Sequence, residues 1–465
     1  MSSSTPRDTA SRNPSLKRTL GLPSVVFFGL AYMVPLTVFT TYGIVTELTA
    51  GHLPAAYIVT TITMIFTAIA YANMVRAFPV AGSAYTYTQQ SFGASIGFLA
   101  GWALLLDYLF LPMINYMVIG IYMSVALPTV PAWIWIVAAI VLVTVFNVLG
   151  IRLVASANMV LVGAQIAFIA VFLVMAIATY GGQAEPISPL APFYSSEFDF
   201  STILAGAAIL CLSFLGFDAV STLSEETKSP RKTIPRAILL CTVVSGLIYI
   251  GLSWLGHVAF PNWQDFTDAD SAAVDVMMHV GGGFLTAFFT AAYVAGCVAS
   301  AMASQVSVSR ILFSMGRDGT LPRSVFGKVH QRFKTPYLAS LVVGVVSLVA
   351  LLISLELASS MISFGALIAF TFVNLSVIKH YAIDKGRRHG VEAVKYIVVP
   401  AIGVALCLWL WTSLSGTTFA VGLAWVALGV IHLLYLTRFF RRPAPKLDFS
   451  EADPEAVAGA EPARA

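Results

Sequence analysis

Two aspartates, Asp107 and Asp218, stand deep inside long apolar stretches, and no lysine or arginine accompanies them there. A charged Asp at the centre of a membrane helix costs about 2.5–3.5 kcal/mol on insertion scales, so such a residue faces a cavity or a partner and marks a substrate or ion route. Two carboxylates without a cationic neighbour make an acidic cavity, suited to a cation. Burial and a neighbouring cation each change how tightly a carboxylate holds a proton, so either residue could exchange a proton for an ammonium group. Other chemistry finds little support. The seven histidines, His52, His257, His279, His330, His380, His389 and His432, form no HExxH or similar metal pair, and no GxSxG serine motif occurs.

Asp218 lies in Leu212-Ser213-Phe214-Leu215-Gly216-Phe217-Asp218-Ala219-Val220-Ser221. Gly216 weakens a helix by up to about 1 kcal/mol relative to Ala, and Ser213 and Ser221 can bond freed backbone groups. The stretch therefore reads as a helix broken at mid-membrane. A second irregularity runs from Gly29 through Pro35, where a proline in a helix interior removes one hydrogen bond and clashes with the carbonyl four residues back. Gly29, Pro35 and Gly216 are the expected break positions.

The elements that must carry these residues follow from composition. The chain has 465 residues, 58% hydrophobic and only 10% charged, which is a polytopic helical membrane protein. Nothing in it suggests nucleic-acid binding, and the partner of most of its surface is the lipid bilayer. Apolar spans fall at about 22–46, 54–76, 94–123, 132–150, 156–180, 201–223, 236–258, 284–310, 337–355, 357–379, 395–414 and 418–438, twelve in all. Cys211, Cys241, Cys297 and Cys407 all lie in apolar stretches with no CxxC, so neither a disulfide nor a zinc site is expected.

With loops assigned alternately, all 26 Lys and Arg fall on one side, including the two tails. By the positive-inside rule both termini are cytoplasmic. Residues 1–19, Ser-, Thr- and Arg-rich, read as a disordered cytoplasmic tail, and 441–465 as a second tail. The outward loops carry Glu47, Glu185, Glu197, Asp199, Asp265, Asp268, Asp270, Asp275 and Glu356. Such charge either concentrates cations at an entrance or merely reflects the exclusion of Lys and Arg.

The interrupted spans are the first and the sixth. Residues 20–200 and 201–390 then form two halves of five helices in opposite orientation, each opening on a discontinuous helix, with 391–440 supplying two further spans. That is an all-α, five-plus-five inverted repeat of the leucine-transporter type, whose substrate site lies at the midplane between the broken helices.

Two more stretches stand out. Phe78-Pro79-Val80-Ala81-Gly82-Ser83-Ala84-Tyr85-Thr86-Tyr87 reads as a Pro/Gly turn followed by an amphipathic stretch with tyrosines suited to a membrane interface. Glu225-Glu226-Thr227-Lys228-Ser229-Pro230-Arg231-Lys232-Thr233-Ile234-Pro235-Arg236 reads as a mixed-charge inward loop.

Together these stretches resemble the amino acid–polyamine–organocation transporters over about residues 20–440. Gly101-Trp102, Leu105 to Asn115, Ser213 to Asp218, Ser307-Val308-Ser309-Arg310, Met315-Gly316-Arg317-Asp318 and Phe370 to Ser376 are similar to the bacterial putrescine importers within that superfamily. The resemblance implies twelve helices, the inverted repeat and proton-coupled uptake through the plasma (cell inner) membrane. Relatives that hold an amino acid's carboxylate resemble one another in a Gly- and Ser-rich break in helix one. Here the break reads Ala31-Tyr32-Met33-Val34-Pro35, a poor anion nest because its side chains are bulky and proline has no N–H. A small decarboxylated amine fits better than a zwitterion.

A diamine such as putrescine needs an acceptor at each end and an apolar wall between. Asp218 is expected to bind one ammonium group and Asp107 to act as second amine ligand or proton carrier. Candidates for the wall are Tyr32, Tyr108, Tyr116, Phe214, Phe217 and Tyr293, each cation–π contact adding about 0.5–2 kcal/mol. Where some relatives carry a fifth-helix lysine, the matching residue is Gln165, which cannot titrate, so a proton or sodium could each be the coupling ion. No cofactor or metal is expected, and the oligomeric state is unspecified. A cationic amino acid permease, an exchanger, and a nutrient-sensing receptor on the same scaffold are the competing readings; an enzyme is the least favoured.

Overall fold

The computed structural model describes residues 20–444 apart from 80–82, 150–153, 226, 318–319, 331–332 and 334, with side chains also left aside at 31, 154–162, 222, 225, 314 and 317. The expected tail 1–19, the tail beyond 444, the Pro/Gly turn centre, Arg152, Glu226 and Asp318 thus lie outside the described residues.

Helices account for nearly everything described. The first span is α1 (Leu22–Met33), a short 3-10 turn Pro35–Phe39 and α2 (Tyr42–Leu48). Then follow α3 (Leu53–Ala77), α4 (Ala84–Phe92), α5 (Ala94–Ala126), α6 (Ala132–Leu149) and α7 (Val154–Gly181). The sixth span is α8 (Phe200–Leu210) and two 3-10 segments, Cys211–Phe214 and Ala219–Glu225. The chain continues through α9 (Pro230–Ala259), α10 (Ala272–Arg317), α11 (Arg323–Phe326), α12 (Tyr337–Ser347) and α13 (Leu355–Val377). It ends with α14 (Val391–Ala393), α15 (Val399–Thr412) and α16 (Gly416–Thr437).

Among the described residues, 11 helices are long and apolar enough to cross a membrane, and Tyr337–Leu351 is a shorter apolar helix where the ninth span is expected. Local chemistry fixes many of their ends. Asp199 accepts from the Ser201 amide at 2.9 Å, Ser354 from Leu357 at 3.2 Å and Ser415 from Thr418 at 3.2 Å, each satisfying one N–H that a helix start leaves free. Asp199 is held below the usual carboxylate range by its bonds to Ser201. Gly93, at φ 90°, closes α4 and opens α5, a corner that side chains with a Cβ rarely make.

Four expectations need correction. Gly29 is no break: it lies inside α1, where a Cβ would meet Cys241 Sγ at 2.6 Å and Val220 Cγ2 at 2.7 Å, so it is a packing glycine. The break comes at Val34, which has φ 49°, just before Pro35. The charged stretch after span six is not all loop, because α9 starts at Pro230, a residue suited to the first turn of a helix. The eighth span starts at Ala272, twelve residues before 284, with a kink at Gly281 and Gly282. Tyr85 and Tyr87 are not at an interface: both are buried in α4, and Tyr87 meets Tyr71 edge-on at 5.8 Å.

Helices α3, α5, α8 and α13 form the interior, while α6, α7 and α16 turn residues such as Val141, Val174 and Leu428 outward. Small residues allow the close crossings, as where Gly365 of α13 abuts the Ala103 carbonyl of α5. All four cysteines are buried thiols.

Candidate functional site

The two interrupted spans meet at the centre of this interior. Leu215 is extended (φ −62°, ψ 129°) and Gly216 has φ 121°, so the sixth span loses its helical ladder there. In a membrane the freed carbonyls must find donors inside the protein. Neighbouring helices supply them: Thr60 donates to the Ala207 carbonyl at 2.9 Å, Ser363 to Ile209 at 3.1 Å and Tyr249 to Ser213 at 2.7 Å. Tyr249 also reaches the Met33 carbonyl at 3.2 Å, on the other break. Tyr57 meets the Ser213 hydroxyl at 3.1 Å. The break is thereby built in, with its hydrogen bonds assigned.

Asp218 follows directly. Its Oδ1 accepts from the Gly216 amide at 3.2 Å, and the carboxylate also receives the amides of Asp218 and Ala219. It is 7% exposed, so unwound backbone replaces the water it has lost. Asp107, on α5, is 5% exposed, and among the described residues its Oδ1 has no hydrogen-bond partner. The two carboxylates lie within electrostatic range of each other and of Tyr71 and Tyr108. Phe217 packs edge-on to Tyr71 at 5.5 Å and tilted against Phe370 at 5.4 Å, while Tyr71 and Phe370 are 6.0 Å apart. The acidic pair is thus backed by rings from α3, α4 and α13. Tyr71 escaped the sequence reading, and Tyr87 and Phe370 entered it only within motifs, Tyr87 as an interface residue, because nothing in their local pattern marks them as neighbours of the aspartates.

A small cavity of about 30 Å³, room for roughly one water, lies between the two breaks. It is lined by Tyr32, Val34 and Thr37 of the first break, Leu215 of the second, and Asn115 and Tyr293 among others. Tyr32 and Tyr293, both candidates for the wall, are among the residues that line it. Near the cavity, Thr40 and Tyr293 share a hydroxyl hydrogen bond, and Phe39 meets Phe168, Phe172 and Phe289 edge-on at 5.3–6.5 Å. Before the first break, Leu20 and Thr227 form a bridge, with the Lys228 amide donating to Leu20 at 2.9 Å.

Two other expected wall residues sit elsewhere. Tyr116 donates to Gln305 Oε1 at 2.7 Å, and Gln305 in turn donates to Thr144 at 2.9 Å and the Ser340 carbonyl at 3.1 Å, a satisfied packing network away from the cavity. Phe214 is fully buried edge-on to Tyr249 at 5.4 Å, where it braces the break. Gln165 is buried against Gly296, with Oε1 unbonded among the described residues.

The amino acid permease profile matches residues 24–440, which includes both breaks and both aspartates. The chain belongs to the amino acid permease family. It is a transporter rather than an enzyme, as the resemblance in its motifs implied. The low-affinity putrescine importer PlaP of Escherichia coli strain K12 is 41% identical across 93% of this chain and 96% of its own length. More distant relatives include the branched-chain amino acid permease BcaP of Bacillus subtilis, 27% identical over 90% of this chain and 93% of that one. Cationic amino acid transporter 4 of Mus musculus is 31% identical over 80% of this chain and 61% of its own.

Proposed function

We propose that this permease imports putrescine or a similar small diamine across the bacterial inner membrane, driven by the proton gradient and working by alternating access. The observation that carries this reading is the pairing of Asp107 and Asp218, both buried in the interior, with no lysine or arginine in the spans that bear them. An ammonium group at that point would be desolvated and matched by charge, and the aromatic rings around it would favour a cation further. The high similarity to a putrescine importer supports the same substrate class.

In this reading Asp218 is the amine ligand, fixed by its backbone amides, and Asp107 is the second amine ligand or the proton carrier. Tyr32, Tyr108, Phe217 and Tyr293 cover the methylene chain. The spans count as twelve, with Tyr337–Leu351 as the ninth, and they divide into two inverted repeats at residues 20–200 and 201–390. Residues 391–440 complete the bundle, and both termini face the cytoplasm. Because the cavity is smaller than a four-carbon diamine, the halves flanking Pro35 and Gly216 must move apart to admit one.

The alternative is a permease for cationic amino acids, favoured by similarity to the mouse cationic transporter. Against it, Pro35 brings no N–H to the first break, where a substrate carboxylate would need donors. Uptake of labelled putrescine into empty proteoliposomes, with and without an inward proton gradient and with excess ornithine, separates the readings. Gradient-driven, ornithine-resistant uptake is expected. Uptake only after preloading the lumen would mean an exchanger, and strong ornithine inhibition would mean an amino acid permease.

A further inference from the structure

Asn115 is held in one orientation by its neighbours. Its amide nitrogen donates to the Leu111 carbonyl at 2.9 Å and to the Ser300 hydroxyl at 3.1 Å. A backbone carbonyl only accepts, so the nitrogen must be the atom on that side, and both amide hydrogens are spent. What remains is Oδ1, an acceptor with no partner among the described residues, on a side chain that lines the central cavity. The other polar residues on that lining, Tyr32, Thr37, Thr40, Tyr293, Cys297 and Ser300, are all neutral.

The same helix places Asp107 relative to this acceptor. Leu111, Ile114 and Val118 of α5 also line the cavity, and Asp107 lies one turn inward of Leu111 on that face. Eight residues at 1.5 Å each separate Asp107 from Asn115 by about 12 Å along the axis. An extended four-methylene diamine has its nitrogens about 6 Å apart from ordinary bond lengths. Charge-assisted hydrogen bonds add about 2.8 Å at either end, which gives a span that matches.

We propose that Asn115, pinned by Ser300, receives the second ammonium group and so sets the length of diamine the carrier accepts. Both carboxylates then face the same first ammonium, with Asp107 as its second ligand rather than the acceptor at the far end. Asn115 Oδ1 takes the other ammonium, so a shorter diamine leaves one end unbonded and a longer one must fold. Asn115 is a specificity-determining residue, and this role rests on the diamine reading given above.

The test is competition against labelled putrescine by α,ω-diamines of three to six methylenes and by n-butylamine, with purified carrier in lipid nanodiscs. Wild-type protein should show an optimum at four methylenes and bind n-butylamine more weakly. Asn115→Leu should weaken putrescine by about tenfold or more, the loss of one bond to a charged group. It should also abolish the length optimum and leave n-butylamine binding unchanged. Ser300→Ala, which frees the amide to turn, should broaden the length profile in the same direction, and it carries the test if Asn115→Leu does not fold. An Asn115 or Ser300 variant that keeps the optimum, or loses putrescine and n-butylamine equally, would overturn the assignment. Wild-type protein that binds no diamine would instead overturn the functional reading beneath it.

Discussion

Tyr249 donates its single hydroxyl hydrogen to the carbonyl of Ser213 at 2.7 Å, while lying 3.2 Å from the carbonyl of Met33. One phenol on α9 thus sits against a carbonyl of each break, and the Met33 carbonyl also accepts from the Thr37 hydroxyl at 3.0 Å.

Removing that hydroxyl leaves the buried Ser213 carbonyl short of a donor, at about 1–3 kcal/mol for an unsatisfied buried group, whereas the Met33 carbonyl keeps the Thr37 hydroxyl. Tyr249→Phe should therefore lower the melting temperature of the solubilised carrier and slow transport, while substrate affinity changes little. A variant with wild-type thermal stability would show that water or another donor takes over.

Gly216 faces Tyr32 across the gap between the breaks. A Cβ there would sit 2.6 Å from Tyr32 Cδ1 and 3.0 Å from Met33 Cγ, and its φ of 121° is one that other residues rarely adopt. Gly216→Ala should abolish uptake. Adding Tyr32→Ala relieves the clash but not the backbone strain, so the double variant should recover only in part. Full recovery would mean the glycine matters for space alone.

In the loop before α10, Asp270 is half-buried, and burial together with Asp268, Glu356 and Glu47 holds its carboxyl above the usual carboxylate range. A group whose folded-state proton affinity is raised favours the folded form in acid and loses that contribution as pH rises through the unfolded and then the folded value. Asp270→Asn should thus stabilise the carrier at neutral pH and show no advantage in acid below both values. Melting curves of the two proteins against pH check this; a gap that stays constant with pH would contradict it.

The sequence made legible what depends on a residue's own nature. A carboxylate in an apolar run, a proline within a span and a glycine beside an aspartate announce themselves, and Asp107, Asp218, Pro35 and Gly216 are all buried in the interior. What depends on rotation about a helix was not legible. Asn115 and Tyr116 are neighbours in sequence, yet the 100° turn between them puts one on the cavity and the other on Gln305. Tyr85 and Tyr87 were misread for a related reason: the polar residues of 84–92 mimic an interface, whereas burial is conferred by α5 and α13. Gly29 shows that a membrane glycine can serve close packing as readily as a break.

The two aspartates differ in what holds them, and so should their variants. Asp218 is anchored by backbone amides, and Asn at that position keeps an oxygen for the Gly216 amide. Asp107 has an unbonded Oδ1 available to a cation or a proton. Breaking a buried charge pairing costs about 2–5 kcal/mol, so Asp107→Asn and Asp218→Asn should each reduce uptake by about thirtyfold or more without loss of expression. If Asp107 carries the proton, Asp107→Asn should still exchange labelled for unlabelled putrescine while failing to accumulate it on a proton gradient, and Asp218→Asn should do neither. Proteoliposome counterflow beside gradient-driven uptake distinguishes the cases. Loss of both activities in both variants would make Asp107 an amine ligand, and wild-type uptake in both would remove the pair from the mechanism.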